Sequence, residues 1–182
     1  MPIASGTYTF GPQNASLLVY TRRTGAAAKA GHDLTLEVTS WSGTLDLDDN
    51  PGKNRIALTA DGGSLRVREG KGGMQALGEG DKASIQQSID DDVLKRSAIE
   101  FRSSAVESGA DGSRLHVRGE LELLGRSHPI SIELTVDDGR LAGTVTIRQS
   151  DWGLKPFSIL FGTLKVTNDV GVEIDAQLRP TG

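Results

Sequence analysis

His32, His116 and His128 are the only side chains in this 182-residue chain whose ordinary titration falls near neutral pH. No two of them stand two or four places apart, so none share the spacing that turns a pair of imidazoles toward one metal ion. Cysteine is absent, which removes disulfides, thiolate zinc sites, iron–sulfur clusters and a sulfur nucleophile together. Gly31-His32-Asp33 sets an imidazole beside a carboxylate, the one place where a hydrolase or metal enzyme could begin. Neither a Gly-x-Ser-x-Gly elbow nor a Ser/His/Asp set accompanies it. The pattern names no catalytic residue, no metal and no cofactor. An enzyme is disfavoured.

Three other motifs resemble sites and read better as local structure. Gly78-Glu-Gly-Asp-Lys-Ala83 matches a dinucleotide-binding fingerprint, but Met74-Gln-Ala-Leu77 ahead of it is no buried strand and no parallel βαβ unit exists. Asp46, Asp48 and Asn50 alternate as calcium ligands do, yet the glycine falls one place late and Ala57 occupies the bidentate position. They read as the outward face of a strand running into an Asn-Pro-Gly turn. Asp90-Asp91-Asp92 falls at a predicted helix C-terminus, where the dipole disfavours negative charge, and reads as a solvated face or loop anchor. Asn14-Ala-Ser16 is a glycosylation sequon that matters only on secretion.

The elements that must position these groups are strands. Leu115, Val117, Leu121 and Leu123 alternate with Arg114, His116, Arg118, Glu120 and Glu122, the period-2 pattern of a half-buried strand. The same alternation runs through Ile130–Val136, Leu141–Ile147 and Val170–Leu178. With Leu34–Val38, Trp41–Leu47, Ile56–Ala60 and Leu65–Val67 this makes at least eight strands joined by short Gly/Asp/Asn turns. Glycine at 23 residues and aromatics at 4% point the same way, to a turn-rich β protein. Apolar parity slips from even (Leu34, Leu36, Val38) to odd (Trp41, Leu45, Leu47), which predicts a bulge or bend at Thr39-Ser40. Long bent strands are what a closing barrel needs. The exception is the glycine-rich loop 70–80, feeding a short helix with Asp81 as its cap and Ile85, Ile89 and Val93 on one face. The chain is expected to be one domain over 1–182: an all-β, antiparallel, eight-stranded barrel with one short helical excursion.

Strand parity sorts the histidines. His116 faces water among charged neighbours, and His128 precedes Pro129 in a turn. His32 shares the inward parity of Leu34 and Leu36. It is either a hydrogen-bonded rim residue or a polar anchor for a ligand's head in the barrel mouth. The densest apolar segment, residues 150–162, carries Trp152, Phe157 and Phe161. It either closes the core or walls a pocket, since an eight-stranded interior can be filled or can hold one small ligand. His32, Leu34, Leu36, Trp152, Phe157 and Phe161 are the candidate ligand-binding residues.

Charge and termini narrow the partners. With Asp+Glu 24 against Lys+Arg 20 the net charge is −4, and the scattered basic residues suit no nucleic acid. No window reaches the ~18 apolar residues of a membrane helix. The N-terminus has no basic segment followed by an apolar stretch, so a signal peptide is not expected and the location reads as cytoplasmic, or periplasmic or secreted if the chain was trimmed. Unpaired strand edges admit a homodimer.

Taken in order, the motifs resemble the YceI-like family. Tyr8-Thr-Phe10 is similar to its opening strand, and Gly31-His-Asp-Leu34 with Trp41-Ser-Gly-Thr-Leu45 to its second and third. Ile99-Glu-Phe-Arg-Ser103 after the helix, the hairpin motif in Val117–Arg126, and Ser150-Asp-Trp-Gly-Leu154 follow in the family's order. The resemblance implies a lipocalin-like barrel that binds, without catalysis, a long apolar isoprenoid lipid or quinone-like molecule in its interior. The alternative is a filled barrel serving as an interaction or stress-related module.

Overall fold

The structure, a computed structural model, describes residues 3–159 and 164–181. The chain begins with β1 (Gly6–Phe10), β2 (Ala15–Thr21), β3 (Arg23–Thr24), β4 (Asp33–Val38), β5 (Trp41–Leu47), β6 (Arg55–Asp61) and β7 (Leu65–Lys71). The helix α1 (Glu79–Ser88) and a π-helical turn at Ile89–Val93 come next. After them run β8 (Ala98–Ser108), β9 (Arg114–Leu123), β10 (Arg126–Asp137) and β11 (Arg140–Arg148). The last strands are β12 (Ser158–Ile159), β13 (Leu164–Val166), β14 (Asp169–Gln177) and β15 (Arg179–Pro180). Every pairing is antiparallel. The fold is all-β with one short helix, as the alternation in the sequence predicts.

The strand count differs from eight. Twelve segments form one strongly curled sheet in the order β15-β1-β5-β6-β8-β9-β10-β11-β14-β2-β4-β7, and β12, β13 and β3 form a small second sheet. The difference has a physical cause. β4 and β5 are one long stretch interrupted at Thr39-Ser40, where the apolar parity slips, and β6 and β7 are interrupted opposite it at Gly62–Ser64. The Thr39 and Ser40 amides there donate to the Ser64 carbonyl and hydroxyl, at 3.0 and 3.1 Å, so the bend costs no buried donor. β1 with β2, and β14 with β15, break in the same way. The pairing order therefore starts and ends on pieces of the same four stretches. β1 pairs with β15 and β2 with β14, while β5 and β4 of the next stretch pair with β1 and β2 in turn. Joined across their bends the twelve segments are eight strands, and the pairing runs around them back to its start.

Burial follows side-chain parity. In β9, Leu115, Val117, Leu121 and Leu123 are buried while the charged residues between them face outward. β8 hid from this test because its register shifts between Ser103 and Ala105, moving the inward set from Ile99 and Phe101 to Val106. β2 hid for another reason: Leu17, Leu18 and Val19 are apolar on both faces.

Two local expectations are corrected, and the loop-anchor reading of the aspartates 90–92 is kept. Asp81 is not the cap of α1. Gly78 is, and the Asp81 carboxylate in the first turn accepts its amide at 3.0 Å, one half of a capping box. His128 lies inside β10, because the turn before it spans only Leu124 and Gly125. The aspartates 90–92 sit in the π-helical turn, where Asp90 and Asp91 approach Arg96 at 3.9 and 3.7 Å.

Close approach explains one glycine in the wall. The Phe10 ring lies flat on Gly43, and a Cβ there would come within 2.2 Å of a ring carbon. Gly43→Ala is expected to push the ring away and destabilise the fold by about 1–3 kcal/mol, measured as a lower urea midpoint. An unchanged midpoint would mean the ring is not held there. On the outer surface Arg140 grips Asp175 through two hydrogen bonds, one of 2.8 Å from Nε. That grip holds the Asp175 carboxyl below the ordinary aspartate range, against a smaller opposing effect of burial. The stabilisation is thus present above about pH 4 and lost as pH falls through the depressed folded value. Asp175→Asn should lower the urea midpoint slightly at pH 7 and leave it unchanged at strongly acidic pH.

Candidate functional site

The inward side chains fill one part of the ring and leave the rest hollow. Tyr8, Phe10, Trp41 and Leu45 are all buried, and Phe10 meets Trp41 edge-on with ring centroids 6.0 Å apart. Toward the ends of β2 and β4 the inward positions carry mostly branched aliphatic chains, among them Leu17, Val19, Ile130, Ile132 and Val172. These are too short to meet across the interior. They enclose a cavity of about 860 Å³.

Two layers cover its end. The loop from Gly72 to Leu77 crosses the mouth and places Leu77 against Gly70. α1 and the turn after it add Ile85, Ile89 and Val93, the helix face legible in the sequence. The cover is held lightly. The His32 Nε2 donates to the Gln75 carbonyl at 2.8 Å, the one hydrogen bond made by residues 72–77 among the described residues. Gly73, at φ +77°, lies so near the imidazole that a Cβ would stand 2.5 Å from Nε2. Arg23 secures the start of the loop by donating to the Gly31 carbonyl at 2.6 Å and the Lys71 carbonyl at 3.1 Å. Asp33 accepts the Arg23 amide at 2.9 Å and so ties β3 to β4.

The sequence candidates separate on this geometry. His32, Leu34 and Leu36 line the cavity, and so does half-buried Phe157. Trp152 does not. It follows β11 in a tight turn, with its indole N–H donating to the Leu121 carbonyl at 2.7 Å and its ring 5.1 Å from that of His128. Its apolar surface closes the structure outside the cavity, so the expected pocket wall is corrected to a packing residue. Phe161 lies outside the described residues. Thr21, Arg23 and Lys165 also reach the lining and were missed. A threonine ending a strand that is apolar on both faces at Leu17–Val19 carries no signal of its own, and β3 and β13 are too short to alternate. Among the described residues no three His, Cys, Asp or Glu side chains are grouped to hold a metal ion.

The YceI-like domain model matches residues 8–178, nearly the whole barrel and both covers of its mouth. The chain belongs to the YceI-like domain family. Solved structures agree on the fold. BcnA of Burkholderia cenocepacia is 16% identical with a TM-score of 0.64, over 90% of this chain and 94% of that one. A YCEI protein of Campylobacter jejuni is 15% identical with a TM-score of 0.54, over 81% and 84%. No curated protein matches the chain. Within this YceI-like barrel no helix among the described residues is long and apolar enough to cross a membrane.

The loop over the mouth gives a direct test. His32→Ala removes its hydrogen bond to Gln75, which should speed thermolysin cleavage within residues 72–78 severalfold while costing the whole fold no more than about 1.5 kcal/mol. Cleavage in that segment at an unchanged rate would show that His32 does not hold the loop.

Proposed function

We propose that this YceI-like barrel is a non-catalytic binding protein for an apolar, chain-like small molecule of the isoprenoid lipid or quinone type. The cavity carries the reading. Its 860 Å³ lies within the ~300–1,000 Å³ of small-molecule sites. Packed interiors leave few voids larger than a water molecule, so a hollow this size, walled by aliphatic chains, is suited to an apolar occupant rather than to its own core. The alternative of a filled barrel describes only the part around Phe10 and Trp41.

The few polar groups favour a molecule with one polar end. Thr21 Oγ1 is buried on the cavity wall and has no hydrogen-bond partner among the described residues. A buried hydroxyl left unpaired costs free energy that a ligand's carbonyl or hydroxyl would recover. Thr21 lies one residue from β3, close to Arg23 and His32 at the mouth. The arrangement suits an apolar chain directed inward and a polar head near Thr21. His32, Leu34, Leu36 and Phe157 would then contact the ligand.

Organic-solvent extraction of the purified protein, followed by mass spectrometry, should release an apolar molecule, and the emptied protein should take up isoprenoid quinones or polyprenols one to one by native mass spectrometry. Thr21→Val, nearly identical in shape, should retain binding of a plain hydrocarbon chain and weaken binding of the quinone about five- to tenfold. A clean extract together with no uptake of either class would overturn the reading.

A further inference from the structure

We infer that a basic rim beside the cavity mouth docks this protein on an anionic lipid bilayer. The inference goes beyond the binding function proposed above and does not depend on what the cavity holds. Three parts of the chain build the rim: residues 20–32, residues 70–78, and residues 153–159 with 164–167. They carry Arg22, Arg23, Lys29, Lys71, Lys155 and Lys165 and none of the 24 acidic residues, in a chain whose net charge is −4. The fold joins what the sequence spreads out. β13 pairs with β3, setting Lys165 opposite Thr24, and the Thr167 amide donates to the Arg22 carbonyl at 2.8 Å. The Arg23 guanidinium donates to the Lys71 carbonyl, and His32 reaches Gln75. Five of the six cations are exposed and Arg23 is half-buried. None of the six forms an ion pair among the described residues. Of the flanking acids, Asp33 accepts the Arg23 amide and Asp169 pairs with Arg148. Glu69, Glu79, Asp151 and, beside Tyr20, Glu173 mark the rim's borders.

Apolar side chains on the same segments favour a bilayer over another polyanion. Tyr20, 36% exposed, and Met74, 81% exposed, are the exposed large hydrophobic residues among those described, and both lie on the rim. Met74 also belongs to the cavity lining, so a flexible apolar side chain stands among the cations at the opening itself. A bilayer matches that combination, with anionic headgroups for the cations and an apolar layer just beneath them for Met74. A nucleic-acid backbone would meet the same charges and leave Met74 in water. Docking by this rim turns the mouth toward the phase in which an apolar molecule dissolves.

Co-sedimentation with vesicles is the test. Vesicles of phosphatidylcholine with about 30 mol% phosphatidylglycerol should bind the protein about tenfold or more tighter than phosphatidylcholine alone. Raising salt to about 0.5 M should release it. Each cation at an anionic surface contributes about fivefold, so Lys29→Gln with Lys165→Gln should weaken binding about 25-fold. Met74→Ser should weaken it severalfold. Lys53→Gln with Arg179→Gln removes the same charge at the far end of the ring, from the β5–β6 turn and β15, and should change binding by less than about twofold. Equal losses in the two double variants would overturn the rim, because net charge alone would then govern binding. Indifference to lipid charge would overturn it as well. Duplex DNA held as tightly as the anionic vesicles, with no effect of Met74→Ser, would overturn the bilayer in favour of a nucleic acid. Ligand uptake is measured without vesicles, so failure of the rim leaves the binding function standing, and a clean extract leaves the docking standing.

Discussion

A ring of eight antiparallel strands encloses an interior only just wide enough for side chains to meet across it. Every inward position is therefore a choice between filling that interior and leaving it open, and the rest of this protein follows from how the choices fall. Phe10, Trp41, Tyr8 and Leu45 stand together and fill their part. Leu17, Val19, Ile130, Ile132 and Val172 stand elsewhere on the ring and leave a hollow. Glycine takes part as a spacer. Gly43 admits the Phe10 ring, and Gly119 lies under the Phe101 ring in the same way, with a Cβ there only 2.7 Å from it.

Curvature is what brings these residues to one axis. Strands long enough to pair all the way around cannot stay straight, and this chain bends four of them at loop residues, bulges or parity breaks. The bend at Thr39-Ser40 keeps its hydrogen bonds through Ser64. β7 extends past the start of β8 and ends the pairing order. α1 and the glycine-rich loop return over this same end, so one excursion both shields a strand edge and roofs the hollow. The roof is fixed by few contacts, chiefly His32 to Gln75 and Arg23 to Lys71, while the ring beneath it is laddered strand to strand except along the edge of β7. Stability is thus graded: high in the strands and low over the mouth, where a ligand must pass.

Much of the fold was legible because a half-buried strand writes its environment into every second residue. The runs in β9, β10, β11 and β14, and the slip at Thr39-Ser40, are all of that kind. β2 and β8 escaped because one is apolar on both faces and the other changes register at Ser103. The site was only partly legible. Parity correctly turned His32, Leu34 and Leu36 inward, and placed Phe157 in an apolar segment whose destination it could not fix. It had no means to separate Phe157, on the cavity wall, from Trp152, packed against Leu121 and His128.

The amino-acid sequence by itself determined the strand class, the bend that allows a barrel, the family, and the faces that point inward, since each depends on neighbours within a few residues. Whether the inward faces meet or stand apart depends on residues far apart in the chain. Phe10 against Trp41, Gly43 beneath the ring, and Thr21 beside a hollow closed by Leu77 and Ile85 are all such relations. Only the closed ring could decide that the interior is filled around the aromatic residues and empty toward the mouth, because volume belongs to the whole circle and to no single strand.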